Sequence, residues 1–185
     1  MDAGLLGVRL IIGLVLVVHA ARKWRGWFNG PGFERSVIVF VFLGQLPARA
    51  MVQVAVTMEL IAAALLLARF ATPLGAVIAA ATMGVAGAAV YLASGSLASA
   101  KGGGEYALVL ALVSMTIGMT GPGLVSADRL LDAPWADGLP AWGVVLCVVV
   151  PIAAAAPAAH RTRRNLPAAA ASAARSATTP TQEDT

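Results

Sequence analysis

Charge is scarce in this chain: only 12% of its 185 residues are Asp, Glu, Lys or Arg, against about a quarter in ordinary soluble domains. A soluble single-domain globule is excluded. Cysteine is scarcer still, with Cys147 alone and inside an apolar run. By itself the chain can therefore build no disulfide framework, no CxxC thiol couple and no iron–sulfur cluster, and any redox role must borrow its electron carrier. Aromatic residues make up 6%, and no basic patch is interleaved with base-stacking rings, so nucleic acid is not an expected partner. Also missing are a phosphate-binding glycine loop, a nucleophile elbow and a paired-carboxylate hydrolase motif. No pair of His, Cys, Asp or Glu shows metal-ligand spacing on one helix. Hydrolytic, ATP-driven and metal-centred enzymes are disfavoured on these grounds. Haem held by two histidines would need His19 and His160, and the second sits in an arginine cluster.

What is abundant is apolar. Hydrophobic residues make up 59% and the mean hydropathy is +0.82. About 20 such residues cross a bilayer as a helix, and the chain holds several runs of that order, which predicts an all-α integral membrane protein in contact with the lipid bilayer. The spans are expected at residues 4–21, 50–68, 73–93, 105–118 and 139–159. The fourth is the shortest, and Gly121-Pro122-Gly123 ends it. In the fifth, Pro151 is tolerable if neighbouring groups satisfy the carbonyl it frees. A signal peptide is suggested by Val18-His19-Ala20, but Asp2 precedes the first run and Arg22, Lys23 and Arg25 follow it, the reverse of a signal peptide's charge order. The segment 36–46 is too short to span. With Phe33, Val37, Phe40 and Val41 at helical spacing, it reads as an interfacial or re-entrant helix opened by the turn at Gly30-Pro31-Gly32. Ser126 reads as the N-cap of a brief external helix carrying Asp128. Residues 165–185 lack hydrophobic periodicity and are expected to form a disordered cytoplasmic tail.

Five spans place the termini on opposite sides. With the N-terminus outside, the inner segments carry Arg22, Lys23, Arg25, Arg35, Arg49, Lys101, Arg161, Arg163, Arg164 and Arg175, ten of the thirteen basic residues, as the positive-inside rule requires. Small residues that permit close helix approach recur as Ala76, Ala80, Gly84 and Ala88 in the third span, and as Ala107, Ala111, Ser114, Gly118 and Gly121 from the fourth. Glu59 falls near mid-membrane on the face of Ala55, Ala62 and Ala63, so it points at protein and must be neutral or paired. Arg9 is its candidate partner, in an intramembrane polar pair that either holds the bundle or serves its function, and an Arg9 that snorkels to the outer surface is the competing outcome.

Arg9, His19 with Lys23, Gly26-Trp27-Phe28, Gly30-Pro31-Gly32-Phe33, Leu46-Pro47, Glu59, Thr72-Pro73, Gly104-Glu105-Tyr106 and Gly121-Pro122-Gly123 with Ser126 and Asp128 follow one another in an order that resembles the DoxX family of small bacterial membrane proteins. The likeness runs from about residue 5 to 130. It implies a DoxX-like four-helix transmembrane bundle over 1–130. An external linker, a fifth transmembrane helix and its basic flank extend it over 131–164. The resemblance also implies the bacterial cytoplasmic membrane and redox work, because relatives include the membrane subunit of thiosulfate:quinone oxidoreductase and others are linked to thiol and oxidative stress. The chain departs from the family's pattern after Glu59, where Leu60-Ile61-Ala62-Ala63 replaces the usual paired glycines.

The expected topology brings His19 and Lys23 to the same end as Glu105 and Tyr106. A quinone head group needs proton donors or acceptors and apolar walls. His19 and Glu105 are the candidate catalytic pair, with Lys23, Trp24, Trp27 and Tyr106 as candidate quinone contacts and no metal or covalently bound cofactor. For Trp24 and Trp27 a membrane-belt role competes with this, as does a helix-dipole role for Glu105. The leading expectation is a quinone-linked redox subunit fed by a sulfur-handling or oxidative-stress enzyme partner. A non-catalytic scaffold for such enzymes is the alternative, and a small-solute transporter, lacking inverted-repeat signs, ranks last.

Overall fold

Each long apolar run folds as one helix. The structure, a computed structural model, describes residues 2–123, 126–136 and 139–178. Seven α-helices and no strand occur among them: α1 Asp2–Arg25, α2 Gly32–Phe42, α3 Ala48–Ala68, α4 Thr72–Ser94, α5 Glu105–Thr120, α6 Ala127–Leu130 and α7 Ala141–Thr178. Four of them, α1, α3, α4 and α7, are long and apolar enough to cross a membrane. At 16 residues, α5 is about 24 Å long, short of the roughly 30 Å hydrocarbon core. The all-helical membrane bundle expected from hydropathy is what forms, and the chain is a multi-pass membrane protein.

Lipid offers helices no hydrophobic reason to associate, so close backbone approach must supply the contact. The buried face of α4 is Thr72, Gly75, Ala76, Ala79, Ala80, Met83, Gly87 and Ala89, a stripe of mostly small residues on a helix that packs against α3, α5 and α7. At Gly87 a methyl group would sit 2.6 Å from Leu108 of α5. At Gly118 of α5 it would meet Cys147 Sγ of α7 at 3.0 Å. On α5 the expected stripe is held, with Ala111, Ser114 and Gly118 all buried. On α4 the close contacts shift by a residue from the expected ladder, and Gly84 and Ala88 are only half-buried.

Two polar locks fix one end of the bundle. At the end holding the α1 N-terminus, Arg9 is buried and donates to the Pro122 carbonyl, and to that of Gly121 at 2.6 Å. These carbonyls lie just past the C-terminus of α5, so α5 runs the depth of the bundle despite its length. The α3–α4 turn holds Arg69 and Ala71 at left-handed φ of 58° and 45°, which is costly for residues with a Cβ. It is stabilised from outside. Asp128 Oδ1 and Oδ2 accept the Ala71 and Thr72 amides at 2.6 and 3.0 Å, while the Ala127 and Asp128 amides donate to the Arg69 carbonyl at 3.0 and 3.3 Å. Ser126 caps α6 as expected, its Oγ accepting the Arg129 amide.

At the opposite end α2 packs on α1 and α3, with Phe33, Val37 and Phe40 against Ala20, Val52 and Val56. Gln45 is buried, and its Nε2 donates to the Ala158 carbonyl at 3.0 Å and to Thr162 Oγ1 at 2.8 Å. Thr162 in turn donates to the Leu43 carbonyl, and Asn165 Nδ2 to that of Gly44, both at 2.8 Å. These bonds pin α7 to the α2–α3 loop, so α7 also traverses the bundle.

One expectation is corrected. Rather than losing regular structure at Asn165, the chain continues as helix to Thr178, because alanine has the highest helix propensity and needs no hydrophobic period to express it. Residues 179–185 and the Arg175 side chain lie outside the described residues.

Candidate functional site

Glu59 sits on the buried stripe of α3 with Val52, Val56, Ala62, Ala63 and Leu66. Helix periodicity therefore turns its carboxylate toward protein, and the side chain is fully buried. A carboxylate so placed requires a partner. Lys23, in the last turn of α1, supplies one, its Nζ donating to Glu59 Oε1. The sequence reading paired Glu59 with Arg9, and that is corrected: Glu59 Oε2 accepts no hydrogen bond, and Arg9 is engaged with the 121–122 carbonyls at the other end of the bundle.

The ion pair lines a half-open chamber of about 600 Å³ bordered by α1, α2, α3, α4, α5 and α7. Its walls are almost wholly apolar, with Phe40 from α2, Met58 from α3, Met83 and Ala86 from α4 and Ala154 from α7. His19 also lines it, half-buried, one turn before Lys23 on the same face of α1. The imidazole is stacked on Tyr106 of α5, centroids 5.6 Å apart and planes 23° from parallel. Gln45 and Arg161 stand at the α7 side, with Arg161 Nη1 4.0 Å from Met51 Sδ.

The candidate residues are thus redistributed. His19 and Lys23 do face one cavity, and Tyr106 meets His19, as the topology suggested. Glu105 does not join them: it is exposed, and its Oε2 accepts the Ser99 amide at 3.1 Å, closing the α4–α5 loop. Trp24 packs edge-on against Phe33 at 5.2 Å, and both Trp24 and Trp27 border a separate groove on the other side of the α1–α3 contact. Two contributors escaped the sequence reading. Glu59 was singled out, but not with Lys23, and the α7 wall was not assigned to a site. Thr162 and Asn165 occur three apart in an otherwise basic flank, which was the available signal that this helix face meets protein.

The chamber can hold a flat or flexible apolar molecule bearing one or two polar atoms. Lys23 has further ammonium hydrogens to donate beyond the one on Glu59, His19 can donate or accept, and Glu59 Oε2 can accept. Among the described residues no three His, Cys, Asp or Glu side chains are grouped to hold a metal ion.

A bundle whose second spanning helix buries a carboxylate against a lysine of the first is consistent with a small multi-pass membrane protein of one class. The DoxX family model matches residues 4–92, so this stretch, which carries α1, α2, α3, most of α4 and both members of the ion pair, is a DoxX domain. The match stops short of residue 130, leaving α5, α6 and the α7 wall outside it. No curated protein and no solved structure matches the chain.

Proposed function

We propose that this DoxX protein is a quinone-linked redox subunit, receiving electrons from a partner protein and using the chamber behind Lys23 and Glu59 as its quinone site. The observation that carries the reading is Glu59 Oε2, a fully buried carboxylate oxygen without a hydrogen-bond partner, in the lining of a largely apolar chamber of about 600 Å³. Buried polar atoms are nearly always satisfied, and one that is not points to a ligand or a proton. A quinone, when bound, supplies the two-electron chemistry that the chain lacks. Lys23 and His19 are placed to donate hydrogen bonds to carbonyl oxygens, and Glu59 Oε2 to accept a proton from a hydroxyl. The methionine and alanine walls suit an apolar ring or tail. This replaces Glu105 by Glu59 as the carboxylate of the site.

The test is mass spectrometry of protein purified gently from its native membrane, quantifying co-purified quinone and partner proteins together. A Lys23→Met/Glu59→Met variant run alongside removes the polar chemistry while conserving volume, an exchange that buried ion pairs tolerate. Quinone enriched with the native chain and lost from the variant is the expected result. Quinone equally scarce with both, beside a stable partner, would overturn the redox site and leave the scaffold reading. That second reading has its own support: between the pinned residues Thr162 and Asn165, α7 exposes Arg163 and Arg164, a cationic helix face on which an acidic protein surface can dock.

A further inference from the structure

The α1–α3 contact has a second side. There, away from the chamber, lies an open groove of about 540 Å³ whose lining is apolar except for three residues. Arg25 is exposed at the end of α1, and no carboxylate pairs with it among the described residues. Gln53 and Thr57 are exposed on successive turns of α3. Both lie within a membrane-spanning helix, where a polar group facing hydrocarbon without a hydrogen bond is costly.

Other hydroxyls in the spans avoid that cost by bonding back into their own helix. Thr82, Ser114 and Thr116 each donate to the carbonyl four residues earlier, at 2.6, 2.8 and 3.0 Å. Thr57 makes no such bond, and the Gln53 amide has no partner in the chain, among the described residues. Two polar side chains, four apart and turned into one groove, are left for something outside the chain to satisfy.

The axial order of these groups identifies the ligand chemistry. Measured from the end carrying Arg25, Gln53 lies about 8 Å into α3, Thr57 about 14 Å and Leu60 about 18 Å, at about 1.5 Å per residue. Trp24 and Trp27, 46% and 61% exposed, flank the charged end as interfacial rings do. From surface to midplane the groove thus offers a cation between indoles, then hydrogen-bond donors, then an aliphatic floor. A glycerophospholipid presents the complementary series: an anionic phosphate, ester carbonyls that only accept, and an acyl chain. We infer that this groove is a seat for one anionic glycerophospholipid, with its phosphate at Arg25, its ester carbonyls at Gln53 and Thr57 and an acyl chain along Val17 and Leu60.

The experiment is native mass spectrometry of the full chain in detergent, titrated with phosphatidylglycerol or with phosphatidylcholine of the same acyl chains. One phosphatidylglycerol is expected to be retained, with phosphatidylcholine held more weakly. Arg25→Gln should lower phosphatidylglycerol retention about fivefold, the effect of one basic residue at an anionic lipid, and Arg25→Lys should restore most of it. Gln53→Leu should weaken both lipids about threefold, as loss of one hydrogen bond in a membrane does. The Lys23→Met/Glu59→Met variant should retain lipid as the native chain does, which separates this seat from the chamber. Equal retention of the two lipids, unchanged by Arg25→Gln, would overturn the proposal. So would a lipid-free dimer dispersed by Gln53→Leu, which would give the groove to a second copy of the chain.

Discussion

Lys23 and Glu59 are unequal partners, and their inequality predicts how each responds to substitution. The Glu59 side chain is fully buried, whereas that of Lys23 is 19% exposed at the end of its helix. Removing the lysine leaves a carboxylate with no route to water. Removing the glutamate leaves an ammonium on a long flexible stem that can swing toward the interface. Lys23→Met is therefore expected to cost about 3 to 5 kcal/mol, the range for orphaning a buried charge, and Glu59→Met markedly less. The double variant should be more stable than Lys23→Met alone. Thermal unfolding of the three variants in detergent checks the ordering, and equal losses from the two single changes would mean that Lys23 is as trapped as its partner. The sequence could not show this pair. Counting residues from the helix ends places Lys23 at the surface and Arg9 closer to Glu59 in the outer half, and only the direction of the lysine side chain reverses the ranking. Asp128 was legible as part of a motif but not as a lock, because its partners are backbone amides 56 and 57 residues away. Two charge-assisted bonds to the first amides of α4, one after a left-handed alanine, make Asp128→Ala worth about 2 to 4 kcal/mol. The same melt measures it, and Asp128→Asn should recover part of the loss.

At the scale of elements, hydropathy made α1, α3, α4 and α7 readable, and α5 as the short one, since membrane insertion depends on local composition more than on distant contacts. The α1–α2 hairpin was readable for a different reason. Gly26 and Gly32 take φ of 73° and 70°, and a methyl group on Gly30 would sit 2.6 Å from the Arg22 Cα, so the glycine-rich turn states its own geometry. What could not be read was the docking of α7. Its pins are neutral polar groups on Gln45, Thr162 and Asn165, indistinguishable in sequence from solvated ones. Since α7 also forms a wall of the chamber through Ala154 and Ala158, these pins set how firmly the chamber is closed. Gln45→Leu with Thr162→Val removes both partners of a shared bond and strands the Leu43 carbonyl, at a cost of about 1 to 3 kcal/mol. Faster amide exchange is expected in residues 154–166 and not in α4. Exchange that rises uniformly through the bundle would instead mean that α7 and the core unfold as one unit.

The molecule as a whole has two chemically different ends. Arg9, the 121–122 carbonyls and the Asp128 lock belong to one. Arg22, Lys23, Arg25, Arg35, Arg49 and the α7 arginines cluster at the other, where Arg49 also engages Glu34 at 2.8 Å. Short basic segments are retained on the cytoplasmic side during insertion, so the cation-rich end should face the cytoplasm and the Asp128 end the exterior. An electron donor feeding the chamber would then approach from the cytoplasm, beside Lys23 and Arg161, and the lipid groove would open to the inner leaflet. The single cysteine makes the orientation directly measurable. Cys147 is buried, and Cys147→Ser gives a background for one introduced thiol at a time. Leu131 is 65% exposed near the Asp128 end, and Ala98 is exposed in the α4–α5 loop at the other. In intact cells a membrane-impermeant maleimide is expected to label Leu131→Cys and to spare Ala98→Cys until the cells are opened. The reverse pattern would move the chamber's charged end, and the donor it serves, to the outer face.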